Sequence, residues 1–517
     1  MTQAAPAAAG GIAPAQATDG SVMGEVASVR QIGRGTAWYA ASVVIARAVS
    51  IVMLPIYTRY LTPGDYGQIQ MLGVVSDMTA IFLTAGMTSG VQRFYFKART
   101  EPERNAVLST ALLFELLLAL VGTTILVAFA GPLARQFLGG AQNAWLVRLT
   151  GIDFSATVLW SVPMMLLQSR GNVRAVTAVS LARLAAQLTL NVYLIVGEGW
   201  GAAAMITSSL VVNLVQGIGL ATWMLRTTGV QWSAPVVRAL RAFGVPHQLS
   251  FAGAFVSTYG DRFFIQALAG LPAVGIYSLA YQFGFLLVQV SAVPFLQAWN
   301  PMRHATAGRP KAERDALAAR VFFFFNLLLL TAALGLCVGI DPALTVLTAP
   351  AFRTATALVP PIVLAYVIQS WTDVVRFGID VAERTVFHAY ATLACALVTL
   401  ACYVLLIPRF AGHGAAWATC IGFAVRFVLS YRWANQLWPT DYGWRRAWQM
   451  LGLSFGCFGL YAFARPDALW MQIVAGASVL VLFLVLVSVF VASPPERATL
   501  RSALGHPARA LALLVGK

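Results

Sequence analysis

The run Ala468–Ala492, ALWMQIVAGASVLVLFLVLVSVFVA, contains no Asp, Glu, Lys or Arg. About 20 apolar residues cross the hydrocarbon core of a bilayer as a helix, so this run reads as one complete crossing. Comparable runs recur at 36–57, 67–91, 106–130, 144–168, 174–196, 201–225, 240–268, 272–299, 317–340, 355–378, 386–407, 413–437 and 446–464. None alternates apolar and polar residues as a membrane-barrel strand does. The 517 residues are 59% hydrophobic and 10% charged, with a mean hydropathy of +0.74, a balance outside the range of soluble domains. The predicted fold class is all-α integral membrane, with about 14 transmembrane helices.

The net charge of +16 would suggest nucleic acid in a soluble chain. Here the basic residues instead report orientation, and no nucleic-acid partner is expected. Of the 35 Lys and Arg, 25 fall in one set of loops. Six occupy the other set (Arg59, Arg135, Arg148, Arg353, Arg409, Arg465), and four lie within segments (Arg47, Arg183, Arg262, Arg426). Positive charge gathers in cytoplasmic loops, which places both termini on the cytoplasmic side of the membrane, expected to be a bacterial inner (cytoplasmic) membrane. Residues 1–28, rich in Ala, Gly and Pro, lack the basic-then-apolar order of a secretory signal and read as a disordered cytoplasmic tail, and 494–517 reads as a cytoplasmic tail. The loops are too short for a soluble catalytic domain. Five cysteines (Cys337, Cys395, Cys402, Cys420, Cys457) sit in apolar runs without metal-ligand spacing, which suits packing. No Gly-rich phosphate loop, zinc motif or catalytic triad occurs, so neither enzymatic activity nor a cofactor or metal is expected.

Polar residues within the segments are the candidate functional groups, because an ionised side chain at bilayer depth faces protein interior or a water-filled cavity. In the fifth segment Thr177, Ser180, Arg183, Gln187 and Asn191 recur every three or four residues and form one stripe. The tenth carries Gln369, Asp373, Arg376 and Asp380, with Asp373 and Arg376 spaced to pair within the helix. The second aligns Asp77, Thr84 and Thr88. In the seventh, Ser250, Ser257 and Asp261 form one line and Thr258, Arg262 and Gln266 the next, so Asp261 and Arg262 are expected to engage different partners. Single charges occupy the first segment (Arg47), third (Glu115), fourth (Asp153) and twelfth (Arg426).

These faces predict a hydrated cavity between two helix bundles. Guanidinium is a planar fork of donors suited to phosphate, so Arg47, Arg183, Arg262 and Arg426 favour an anionic, phosphorylated head group. Gln187, Asn191, Gln282 and Gln289, with Tyr and Trp, suit sugar rings. The substrate-binding set is therefore Arg47, Arg183, Gln187, Asn191, Asp261, Arg262 and Arg426. Asp77, Glu115, Asp153, Asp373 and Arg376 are the candidates for ion coupling or gating. The turns at 60–67 and 268–275, both Gly/Pro turns opening a helix at Gly, are spaced as in a parallel internal repeat about an axis along the membrane normal.

The stretch Leu54-Pro55-Ile56-Tyr57-Thr58-Arg59-Tyr60-Leu61-Thr62-Pro63-Gly64-Asp65-Tyr66-Gly67 resembles the first-helix signature of bacterial Wzx-type polysaccharide flippases. These serve O-antigen and exopolysaccharide synthesis within the multidrug/oligosaccharidyl-lipid/polysaccharide exporter superfamily. Asp261-Arg262-Phe263, Gly275-Ile276-Tyr277-Ser278 and Trp299-Asn300-Pro301 look like that family's seventh and eighth helices. The resemblance implies two six-helix lobes around a central cavity, 29–226 and 227–437, and two additional C-terminal helices, 438–493. It implies movement of an oligosaccharide on a polyprenyl diphosphate carrier from the cytoplasmic to the periplasmic leaflet by alternating access. It also implies partners among membrane lipid, glycosyltransferases, a polymerase and an export apparatus. Of the polar residues, only Arg47, Asp261 and Arg262 fall at recognisable positions. The chain is expected to act as a monomer. The alternatives are a lipid II flippase, a drug or cation exporter of the same superfamily, and a membrane glycosyl-polymerase or ligase. Short outer loops argue against the last, and fourteen segments with arginines among the cavity candidates argue against a cation exporter.

Overall fold

The computed structural model describes residues 53–84, 87–306 and 308–505, and every element among them is helical. Arg47, most of the first expected segment and residues 1–28 lie outside the described residues, as do 506–517 and the side chains of Thr88, Ser250 and Ser257.

In chain order the helices are α1 (53–60), α2 (Pro63–Leu83), α3 (Met87–Lys97), α4 (Glu101–Ala128), α5 (Ala130–Phe137), α6 (Ala144–Ser169), α7 (Val173–Val192) and α8 (Ala202–Thr228). There follow α9 (Ala234–Leu287), α10 (Val293–Ala305), α11 (Lys311–Leu347), α12 (Val359–Val375), α13 (Phe377–Val381), α14 (Val386–Leu437), α15 (Trp444–Phe463), α16 (Leu469–Leu486) and α17 (Pro494–Gly505).

Their starts are written locally. Thr62 caps α2 by accepting the Asp65 N–H, Asp65 returns the bond to the Thr62 N–H, and Pro63 supplies a first residue that needs no N–H partner. Thr100 and Glu103 repeat the device at α4.

Nine helical stretches among the described residues are long and apolar enough to cross a membrane. Two of them, Thr258–Ala305 and Val386–Leu437, run to 48 and 52 residues, more than twice what one crossing needs. Each contains a sharp break. In α9 it falls at Gly270, whose φ of 80° is open to glycine but strained for other residues. In α14 it falls at Ala411, φ 44°, three residues after Pro408, whose ring cannot supply the N–H that would continue the ladder. The breaks fall between the expected seventh and eighth segments and between the eleventh and twelfth. The second expected segment, 67–91, is interrupted, with α2 ending at Leu83 and α3 starting at Met87.

Packing gathers α4, α6, α7 and α8 on one side, and α9, α12 and α14 on the other, with α2 lying along α9. Helices α11, α15 and α16 pack together beside the second group. There Trp371 of α12 is buried against Trp444, Trp448 and Phe427, with ring centroids 5.6, 5.2 and 5.9 Å away, and its indole N–H donates to Asn326 Oδ1 at 2.7 Å. Buried aromatic rings supply large contact area and a defined geometry, which fixes α15 against α12.

The α2–α9 contact is closest where the two similar turns meet. A methyl group added at Gly67 would run into the carbonyl of Leu271, and one at Gly275 into the carbonyl of Pro63. The arrangement is reciprocal, as an internal repeat about an axis between the turns requires.

Candidate functional site

Just before the Gly270 break, Asp261 and Arg262 are buried, 0% and 5% exposed. They do not engage separate partners, as their helical spacing suggested, but pair with each other, Arg262 Nη1 to Asp261 Oδ1 at 3.0 Å. The correction has a physical cause. Asp261 folds back so that Oδ1 also accepts the Arg262 backbone N–H at 2.8 Å, and the long arginine stem spans the angle between neighbouring positions. With both charges out of water, pairing removes most of the desolvation cost that separate burial would leave.

The pair is enclosed by tyrosines. The Tyr277 hydroxyl donates to Asp261 Oδ2 at 2.6 Å, and Arg262 Nη1 also donates to the Thr258 carbonyl at 3.0 Å. The guanidinium lies 4.8 Å from the Tyr281 ring centroid and 5.1 Å from that of Tyr259, distances at which a ring face attracts a cation. Arg262 Nε is buried without a hydrogen-bond partner. Tyr281 packs edge-on to Tyr366 of α12, centroids 5.6 Å apart. One residue beyond Tyr281, Gln282 donates to the Tyr66 hydroxyl of α2 at 2.5 Å, tying the two helix groups together. Asp77, on α2, is exposed, and its charge reaches Arg262 and Tyr259.

A second network joins α6, α7 and α8. Arg183 donates to Asn213 Oδ1 at 2.6 Å, and Asn213 Nδ2 donates to Asp153 Oδ1 at 2.7 Å. Ser209 donates to the other Asp153 oxygen at 2.9 Å, and the Arg183 guanidinium sits 4.4 Å from the Trp160 ring centroid. Further along the same stripe Gln187 donates to Ser208 at 2.8 Å, Ser208 donates to Asn191, and Asn191 donates to the Tyr57 hydroxyl at 2.9 Å. The α7 stripe thus faces α8, and much of its hydrogen-bonding capacity is spent there.

A third network lies on α12 and α14. Arg426 donates to Gln369 Oε1 at 3.3 Å, Gln369 Nε2 to Asp373 at 3.4 Å, and Asp373 pairs with Arg376 at 3.3 Å, as their spacing predicted. Glu115 stands apart in α4. It is 3% exposed and accepts from Ser161 at 3.3 Å, while its Oε1 is without a partner.

The described arginines of the predicted set therefore occupy three networks, each connected to a carboxylate directly or through one amide. Sequence reasoning missed the tyrosines around Arg262 and the amide of Asn213. Tyr277 and Tyr281 carried a legible signal, two phenols one helical turn apart directly after a glycine break. Between α2, α4 and α5 on one side and α9 on the other, a cleft of about 880 Å³ opens, lined mainly by apolar side chains such as Met78, Phe82, Phe129, Phe137 and Phe263.

The fold is shared with solved transporters. A lipid II flippase, MurJ, in an inward closed conformation superposes with a TM-score of 0.70 at 12% identity, over 86% of this chain and 97% of that one. An inward-facing multidrug resistance MATE family transporter of the MOP superfamily gives 0.61 at 15% identity, over 76% and 97%. In sequence, the succinoglycan biosynthesis transport protein ExoT of Rhizobium meliloti (strain 1021) is 25% identical over 265 residues, 51% of this chain and 52% of that protein. The chain thus matches about half the length of that curated relative. The family model described as "Polysaccharide biosynthesis protein" matches residues 32–304, more than half of the chain, and the protein accordingly belongs to the polysaccharide biosynthesis protein family.

Proposed function

We propose that the protein translocates an oligosaccharide linked to polyprenyl diphosphate from the cytoplasmic to the periplasmic leaflet of a bacterial inner membrane. Both termini are cytoplasmic in this reading, lobes 29–226 and 227–437 rock against each other, and the chain acts as a monomer. The observation that carries it is the Gly67–Gly275 contact. Two helix groups meet there through close backbone packing, while the buried Asp261–Arg262 pair, its tyrosines and the exposed Asp77 lie deeper along the same contact. A shut end beside charged groups at membrane depth is what one half of an alternating-access cycle requires.

Guanidinium groups answer the diphosphate, amides and phenols the sugar, and the apolar cleft of about 880 Å³ offers a wall for the prenyl chain. Two negative charges moving outward gain about 4–5 kcal/mol per 100 mV, at about 2.3 kcal/mol each. Because Arg183, Arg262 and Arg426 are each linked to a carboxylate, the empty site carries less positive charge than its arginines alone suggest. The loaded step is then the one the potential drives. Asp77, Glu115, Asp153 and Asp373 are the groups through which a proton or sodium ion would drive the return. Glycosyltransferases supply the substrate, and a polymerase and export apparatus consume it.

A strain lacking the gene is expected to accumulate the lipid-linked oligosaccharide on the cytoplasmic face, and the restored gene to clear it. Rescue of a strain deficient in lipid II flipping, without any effect on that intermediate, would replace this substrate by lipid II. Transport in vesicles is expected to fall severalfold when the potential is collapsed; an unchanged rate rules out the voltage-driven step.

A further inference from the structure

Apart from the three networks, a small cavity of about 30 Å³ lies where the C-terminal end of α10, the start of α11, α13 and the 438–443 connection meet. Its walls include Arg303, Arg314, Thr306, Trp438 and Tyr442. Arg303 is 6% exposed, gives one bond to the Val374 carbonyl at 3.1 Å and lies 4.2 Å from the Phe377 ring centroid. Arg314 lies 4.2 Å from the Trp438 ring centroid. With one face of each guanidinium covered by a ring, their N–H edges are what they offer the cavity. The Nε of both is buried without a hydrogen-bond partner.

Among the described residues neither arginine forms an ion pair. The surrounding carboxylates are largely committed. Asp373 and Asp380 act on Arg303 from α12 and α13, but Asp373 pairs with Arg376 at 3.3 Å and Asp380 with His388 at 2.7 Å. Asp315, whose charge reaches Tyr442 and whose Oδ1 has no partner, leaves the pocket with two guanidiniums against one free carboxylate. An arginine edge withdrawn from water without an acceptor is unfavourable, and a tetrahedral oxyanion presents oxygens to two such edges at once.

We propose that this pocket binds a single phosphoryl group, separately from the transport path. The space accommodates about two waters or one phosphoryl, which excludes a sugar or a nucleotide base. In the orientation that the basic loops predict, the pocket opens at the cytoplasmic surface, at the height where Trp and Tyr meet head groups. The phosphoryl comes either from an anionic phospholipid of the inner leaflet or from free phosphate.

The full chain, purified in detergent, tests the proposal in two arms. Native mass spectrometry reads retention of phosphatidylglycerol against phosphatidylcholine, and thermal shift reads titration with inorganic phosphate. Arg314→Gln and Arg303→Lys are expected to weaken binding at least about tenfold in one arm, because neither replacement provides the paired donor edge. Arg238→Gln, which removes an exposed charge in the first turns of α9, is expected to leave binding unchanged. Loss confined to the lipid arm assigns the site to a head group, and loss in the phosphate arm to a soluble ion. Equal affinity in wild type, Arg314→Gln and Arg303→Lys, or no binding in either arm, overturns the proposal. Should Arg303→Lys fail to fold through loss of the Val374 bond, Arg314→Gln alone decides.

Discussion

Gly67 and Gly275 hold matching places in two similar turns, and each lies under a backbone carbonyl from the other's turn, Leu271 over the first and Pro63 over the second. No side chain fits between them. Gly67→Val or Gly275→Val is therefore expected to wedge α2 from α9. A cysteine introduced at Leu271 would then react severalfold faster with a membrane-impermeant maleimide, and polysaccharide output would fall. Unchanged labelling would show that this contact does not close that end of the protein.

Asp261→Asn leaves Arg262 buried opposite a neutral amide, a change expected to cost about 3–5 kcal/mol in stability. Tyr277→Phe removes one hydroxyl from the carboxylate and should cost about 1.5–3 kcal/mol. Unfolding of the purified protein in detergent orders the two. The double replacement Asp261→Asn with Arg262→Gln is expected to recover part of the loss, since no unpaired charge remains.

Ala411 holds a backbone conformation, φ 44° and ψ −124°, that glycine tolerates better. Ala411→Gly should raise stability by about 1 kcal/mol, the low end of what such strain costs. Gly270→Ala, at φ 80°, should lower it by about 1–2 kcal/mol. Opposite signs in thermal unfolding are the expected result.

Arg183 reaches Asp153 only through Asn213, and it also faces the Trp160 ring. Arg183→Lys keeps the charge but loses the planar fork, so complementation of a deletion strain should fall well below wild type. Asn213→Ala disconnects the same pair, and the two replacements together should cost less than the sum of each alone.

The membrane class and most helix positions among the described residues were legible in the sequence because each follows from local composition. The stripe on α7 was legible too, since helical spacing alone stacks Arg183, Gln187 and Asn191. Its partners were not, because Asn213 and Ser208 lie on another helix whose rotation no single segment encodes. The pairing of Asp261 with Arg262 was misread for a related reason. Adjacent positions diverge on a bare helix, but burial selects the rotamers that bring their charges together. Arg183, Arg262 and Arg426 appeared equivalent in sequence, and three different neighbourhoods make them distinct.

The Asp261–Arg262–Tyr277 assembly lies entirely on α9, whereas the side-chain hydrogen bonds crossing to α2, from Gln282 to the Tyr66 hydroxyl and from Gln248 to the Leu83 carbonyl, run between uncharged groups. Parting the helices along this seam would break two neutral hydrogen bonds worth about 1 kcal/mol each and leave the ion pair intact. The buried ion pair therefore travels as a passenger rather than serving as the latch, and the charge of Asp77 is the electrostatic link that remains across the seam.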